Sequence, residues 1–301
     1  NNSIDYKYDT THSLMEDIDG NIRYYGASPN NYIYFNCDDY SNQTSSTCET
    51  WRIIGVFEGK VKIMRGSQIG RYSWDNKNTS TGAESAYGKN DWTTARLMKL
   101  LNPSDYYEVD SNDNGNGQSL YWNSQSGTCF SGMNNATKAC DFTSTGIKND
   151  TTRNMISESM WYLRGYNSYS VYSDQIYEYE RTKGSVYSGR PTSWKGKIAL
   201  AYLSDYGYAA DFGQCTKQLG YYSDSTCTSN NWMKTIIAPN YGWLLTPYAG
   251  DSDGAWIVYS TGDVANNHDT YRANGVGPVL YLGSELEIKA GDGSNSAPYQ
   301  L

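Results

Sequence analysis

Apolar, β-prone residues concentrate in three early stretches, Asn31 to Phe35, Trp51 to Phe57 and Lys60 to Arg65, and this pattern predicts strands. Between the last two, Glu58 and Gly59 mark a tight hairpin turn. From Asn90 to Asn102 the period changes to that of a helix. Leu97, Leu100 and Leu101 share a face, Asp91 or a neighbouring Thr can cap the start, and Pro103 follows the end. A second helix is predicted from Asp150 to Tyr162, with Asp150 as its cap and Ile156 and Met160 one turn apart. Lys197 to Leu203, Trp256 to Tyr259 and Val279 to Leu282 complete the strands. Two helices among short, mostly antiparallel strands and long loops make an α+β fold.

The apolar positions of these elements predict one core containing Trp51, Trp92, Leu97, Leu101, Ile156, Met160, Trp243 and Val279. Two apolar runs, Trp243 to Leu245 and Val276 to Leu282, enclose a polar, Gly- and Tyr-rich segment. Strand alternation there turns Trp256 and Val258 inward, with Ser260 continuing that face, and turns Ile257 and Tyr259 outward. With Tyr248, Asp251, Asp253, Asp263, Asn266, His268, Asp269, Tyr271 and Arg272, the two outward residues are expected to form one exposed ligand-binding patch.

Residues 1–30 read as a polar N-terminal extension with little core, turning at Ser28-Pro29-Asn30 into a single domain over 31–301. Ser104 to Ser131 is dense in Asn, Asp, Gly and Ser and is expected to be a long loop. There is no internal repeat.

Composition narrows the function classes. The chain has 301 residues, enough for a substantial core. Thirty Tyr and nine Trp against five Phe give an aromatic inventory suited to positions half in a core and half in water. A formal net charge of -8 argues against nucleic acid and offers no polybasic patch for anionic lipid. No apolar run approaches the length of a membrane-spanning helix. Asn1 stands where an initiator Met is absent, which leaves room for an upstream signal peptide or anchor.

Six cysteines fall as three neighbour pairs, Cys37 with Cys48, Cys129 with Cys140 and Cys215 with Cys227, separated by 11, 11 and 12 residues. Each pair encloses polar, loop-like sequence, so three local disulfides are expected rather than a crossed network. Zinc is the rival, but its usual sites need closer Cys spacing or His partners, and the chain has two His. Loop-clipping disulfides imply an oxidising, extracellular setting.

Motifs with catalytic or metal-binding chemistry are sparse. Asp110, Asn112 and Asn114, followed by Gly115, have the oxygen spacing of the first half of a calcium loop, but Tyr121 stands where a bidentate Glu belongs. Any calcium there is expected to be structural and weak. Asp251-Ser-Asp253-Gly254 is a weaker acidic turn. His268 beside Asp269 suggests an oriented base, yet no Gly-x-Ser-x-Gly elbow or activated Cys accompanies it. Glu178 with Glu180, and Glu285 with Glu287, fit solvated faces of strands. No catalytic residue and no cofactor is expected.

Several motifs in a fixed order carry a resemblance. Trp51-Arg-Ile-Ile-Gly-Val-Phe, Tyr72-Ser-Trp-Asp, Asp91-Trp-Thr, Lys197-Ile-Ala-Leu, Ser204-Asp-Tyr-Gly-Tyr, Trp243-Leu-Leu-Thr-Pro and the closing Gly-Asp-Gly-Ser with Pro298-Tyr-Gln-Leu resemble an uncharacterised family of Gram-positive, largely gut-bacterial surface proteins. The resemblance covers nearly everything from Asn31 onward. That family is similar to the C-type-lectin fold, in the branch of the formylglycine-generating enzymes and the variable proteins of diversity-generating retroelements. Gly277 occupies the place of an Arg in the family's closing Gly-Val-Arg-Pro-Val, so a buried Arg contact there is in doubt. The enzymes' late pair of cysteines is absent, because no Cys follows Cys227. The sugar-binding lectins' Glu-Pro-Asn is represented only by Ala238-Pro-Asn, which lacks the carboxylate.

The reading is an extracellular, non-enzymatic recognition or adhesion domain of a bacterial surface, which binds a protein or glycan ligand through its C-terminal loops. A structural subunit of a surface filament or pilus remains the alternative, because a polar N-terminal arm can complete a neighbour's sheet.

Overall fold

The computed structural model describes residues 7–76, 87–109, 117–132 and 138–301. The fold is mixed α/β. A nine-stranded sheet runs in the order Tyr8–Asp9, Leu14–Glu16, Ile22–Tyr24, Glu49–Phe57, Lys60–Arg65, Val279–Leu282 and Ile156–Ser157. Tyr32–Phe35 also pairs with Glu49–Phe57, and Ile198–Ala199 also pairs with Val279–Leu282. A second sheet orders Val264–Asp269, Gly254–Val258, Gly242–Pro247, Ala273–Gly275 and Arg71–Ser73. All pairings within named strands are antiparallel except Gly242–Pro247 with Ala273–Gly275.

The first hairpin forms where expected: Glu58 and Gly59 both take positive φ, 51° and 77°, as the tight turn requires. The three disulfides also form in the expected pairs, with Cα separations of 3.9, 5.9 and 4.5 Å. Seven of the expected core residues, Trp51, Trp92, Leu97, Leu101, Ile156, Trp243 and Val279, lie in one cluster. Gly277 has only the Met64 methyl near the place of a Cβ, at 3.9 Å.

The first predicted helix is split. Asp91 caps a 3-10 turn at Trp92–Thr94 by accepting from the Thr93 N–H at 3.1 Å. Ala95 is extended, and the α-helix is Arg96–Leu101, buried on every side. Asn102 ends it by standing in for a strand neighbour: its amide donates to the Ile198 carbonyl at 2.8 Å and accepts from the Ile198 N–H at 2.9 Å.

The second predicted helix stops at Met155, and its cap is Asn149 rather than Asp150. Ile156–Ser157 and Ser159–Tyr162 are strands, held by cross-strand bonds that override the helical spacing. Strand alternation buries Ser159 and Trp161 and leaves Met160 outside the core at 47% exposure. The predicted strand Lys197 to Leu203 shrinks to Ile198–Ala199, and Leu203 opens a helix, Leu203–Tyr208. Short helices also occur at Ser173–Glu178, Ser225–Thr228 and Lys234–Ile237.

The stretch expected as a polar leader supplies three strands to the large sheet and buries Met15, Asp17 and Arg23. Ile22–Tyr24 pairs directly with Glu49–Phe57. Within Ser104 to Ser131, Leu120, Tyr121 and Trp122 are buried, and Ser126–Cys129 pairs with Lys138–Asp141. Asp110, Asn112 and Asn114 lie outside the described residues.

Glu178 and Glu180 lie on helical turns rather than a strand, and Glu180 is fully buried. Its carboxylate accepts from the Ser204 N–H at 3.1 Å, from the Thr246 hydroxyl at 2.7 Å and from the Ser204 hydroxyl. Glu285 and Glu287 are exposed, as expected, but in a turn and the loop after it rather than on a strand.

Candidate functional site

The predicted recognition residues sit on the five-stranded sheet and separate into three groups. Tyr259, His268, Asp269, Tyr271 and Arg272 come together along its edge strand, Val264–Asp269, and the turn that follows. Tyr241, a residue the sequence reading missed, completes this ridge at 39% exposure. Its ring packs edge-on to Tyr259 at 5.1 Å and to His268 at 6.5 Å. Tyr87, also missed, lies 5.9 Å from Tyr271. The signal for Tyr241 was available: it immediately precedes the apolar strand and alternates with Trp243, whose buried ring supports His268 at 5.5 Å.

Charge on the ridge is locally balanced. Arg272 forks onto Asp269, with Nε at 3.0 Å and Nη2 at 2.8 Å, and stands 5.6 Å from the Tyr271 ring. His268 faces Asn274 instead of Asp269, with Nδ1 2.9 Å from the Asn274 amide nitrogen. Burial, and next the positive Arg272, hold the imidazole down to about 4, so it is neutral at pH 7. The bond that would orient His268 as a base is therefore given to a neutral amide.

Tyr248, Asp251 and Asp253 form a second group at the turn between Gly242–Pro247 and Gly254–Val258. This turn is tied to the body: the Asn90 amide donates to the carbonyls of Tyr248, Asp251 and Gly254 at 2.9, 3.0 and 2.9 Å. Asp251 uses its carboxylate internally, accepting from the Gly254 N–H at 2.8 Å. Asp263 belongs to the turn at the other end of the next hairpin, where Thr261 donates to it. Asn266 lies in the edge strand, and its side chain is outside the described structure.

Ile257 does not face outward; it is fully buried, at 0% exposure. Register shifts interrupt the pairing of Gly254–Val258 on both sides, between Trp243 and Pro247 and between Ala255 and Ile257. The extra residues lie in the partner strands, so alternation along Gly254–Val258 is kept, and Ile257 is buried because both faces of the strand are covered. Trp256 and Val258 are buried as expected, whereas Ser260 is exposed because it lies beyond the strand in a turn.

A separate cluster of charge lies inside the large sheet. Arg23 binds Asp17 at 2.6 Å and Asp205 at 3.0 Å, and Lys62 binds the other Asp205 oxygen. Burial lowers Lys62 to about 8, and its ammonium is ringed by Tyr202 at 4.5 Å and by Phe57, Trp161 and Tyr281. Burial raises Asp205, but Lys62 and Arg23 more than offset it and hold the carboxyl below its usual range.

Among the described residues, no cluster of three or more His, Cys, Asp or Glu could hold a metal, and no helix is long and apolar enough to cross a membrane. No family model, no curated protein and no solved structure matches the chain.

Proposed function

We propose that this protein is a non-enzymatic recognition domain that works outside the cell, has C-type-lectin-like architecture, and holds a protein or glycan ligand on the ridge of Tyr241, Tyr259, His268 and Tyr271. Kinship with the Gram-positive surface family, and with the variable proteins of diversity-generating retroelements, belongs to this same proposal. The observation that carries it is the packing of exposed Tyr241 against both Tyr259 and the edge-strand residue His268. Tyrosines fixed in this way present large amphipathic area with little side-chain entropy left to lose on binding. Three disulfides favour an oxidising compartment.

A glycan and protein array identifies the ligand. Tyr241→Ala and Tyr259→Ala are each expected to weaken its binding by more than about 1 kcal/mol while the unfolding midpoint stays nearly unchanged. A ligand whose hydrogen-exchange footprint avoids the ridge overturns the site. Turnover of an array ligand that is lost in His268→Ala overturns the non-enzymatic reading.

A further inference from the structure

The large sheet carries a groove lined by none of the ridge residues. It has a volume of about 470 Å³ and lies between the strands at Tyr32, Thr50 and Arg52, the helix residue Thr235, and Asn295 near the C-terminus. That volume falls in the range of ligand sites, roughly 300 to 1,000 Å³.

Arg52 in its wall is an unusual cation. It is 7% exposed, and no carboxylate pairs with it among the described residues. Nε donates to the Asn31 side-chain oxygen at 2.6 Å, and Asn31 is itself fixed by donating to the Ile53 carbonyl at 2.7 Å. The guanidinium stands 3.7 Å from the Tyr32 ring centre and 4.9 Å from that of Trp232. Its outer edge is hardly used. Nη2 reaches the Pro29 carbonyl only at 3.4 Å, and Nη1 has no partner among the described residues. Burial without a counter-charge pulls its pKa down to about 10.

The remaining walls set the charge and chemistry of what could bind. Glu49 is neutralised by a fork from Arg65 at 3.0 and 3.1 Å, so the lining keeps the single positive charge of Arg52 in a protein of net charge -8. Thr50, Thr235 and Asn295 make no side-chain hydrogen bond to any described residue, which leaves hydroxyls and an amide free around the cation.

We propose that this groove binds an acidic sugar, with the sugar's carboxylate on the Nη1–Nη2 edge of Arg52 and its hydroxyls on Thr50, Thr235 and Asn295. A planar monoanion matches one guanidinium edge and one unbalanced charge, whereas a phosphate dianion leaves charge uncompensated. A pre-fixed guanidinium loses little freedom on binding.

The test is calorimetric titration of the intact protein with glucuronate, glucuronamide, acetate and acetyl-glutamate amide at low salt. Saturable glucuronate binding is expected, at least about tenfold tighter than glucuronamide, which lacks only the charge, and tighter than acetate, which lacks the sugar. Arg52→Gln should weaken glucuronate at least about tenfold. Because Arg52 is packed on two rings, Asn295→Asp serves as a second variant: it places a repelling carboxylate at an exposed position and should also weaken binding. Tyr259→Ala should leave it unchanged, which separates this site from the ridge. The proposal is overturned if glucuronate does not saturate, if glucuronamide or acetate binds as well, if acetyl-glutamate amide binds more tightly, or if Asn295→Asp has no effect.

Discussion

Arg23, Lys62 and Asp205 show how single residues here carry charge into a core that is otherwise aromatic. A lone ion in that setting is costly, but Asp205 faces two cations, and Arg23 has Asp17 as well. Asp205→Asn leaves Lys62 without its counter-charge and Arg23 with Asp17 alone, and should cost about 3 to 5 kcal/mol in urea unfolding. Lys62→Met should cost less, because Asp205 retains Arg23. His268 makes a different prediction. Its folded pKa lies below the ordinary value, so the unfolded chain takes up the proton more readily between pH 6.5 and about 4. The stability it contributes is present above pH 6.5 and is lost as pH falls through that window. For a partly exposed ring, after solvent screening, the loss is about 1 kcal/mol. Asp75 works the other way: burial raises its carboxyl to about 6, so its part of the stability is complete below pH 3.8 and is lost as pH rises through 6. Denaturant curves from pH 7 to 4 should therefore show a smaller acid loss in His268→Asn than in the parent. Equal slopes would mean that the imidazole is not held neutral.

At the scale of elements, what the sequence made legible was local. Glu58 and Gly59 specify their turn, Asp91 specifies its cap, and close Cys spacing specifies three clips, because each signal and its structural consequence lie within a dozen residues or so. What was misread depended on distant partners. Ile156 and Met160 have helical spacing, yet Leu282 and Lys195 across the sheets decide their conformation. Glu180 looks like a solvated carboxylate until Ser204 and Thr246 fold onto it. The site was legible in the same measure: the residues from His268 to Arg272, on the edge strand and the turn after it, converge, whereas Ile257 is lost because the second face of its strand is covered too, which alternation alone does not contain. Its burial gives a prediction opposite to that of a surface contact. Ile257→Ala should destabilise by about 2 to 5 kcal/mol, read from the denaturation midpoint, and a neutral result would put the side chain at the surface after all.

For the molecule as a whole, the decisive element is the N-terminal stretch. A filament subunit of the arm-exchange kind needs a strand to give away. Here Leu14–Glu16 and Ile22–Tyr24 are already spent in the chain's own sheet, where Ile22–Tyr24 pairs with Glu49–Phe57 and Arg23 anchors the stretch to Asp205. Releasing it would break strand pairing and strand a buried guanidinium, a penalty of several kcal/mol. Among the described residues, the two edges of that sheet, Tyr8–Asp9 and Ile156–Ser157, are each two residues long, and short edge strands are poor templates for pairing with another chain. The protein is therefore expected to be a monomer of 33.8 kDa by light scattering after size exclusion, with no growth in mass as concentration rises. Arg23→Met, which loosens the anchor without removing a strand, should lower stability and favour exchange of the arm. Dimers in that variant alone would show that the buried ion pairs hold the arm at home, and open-ended assembly of the parent protein would restore the filament subunit as the better account.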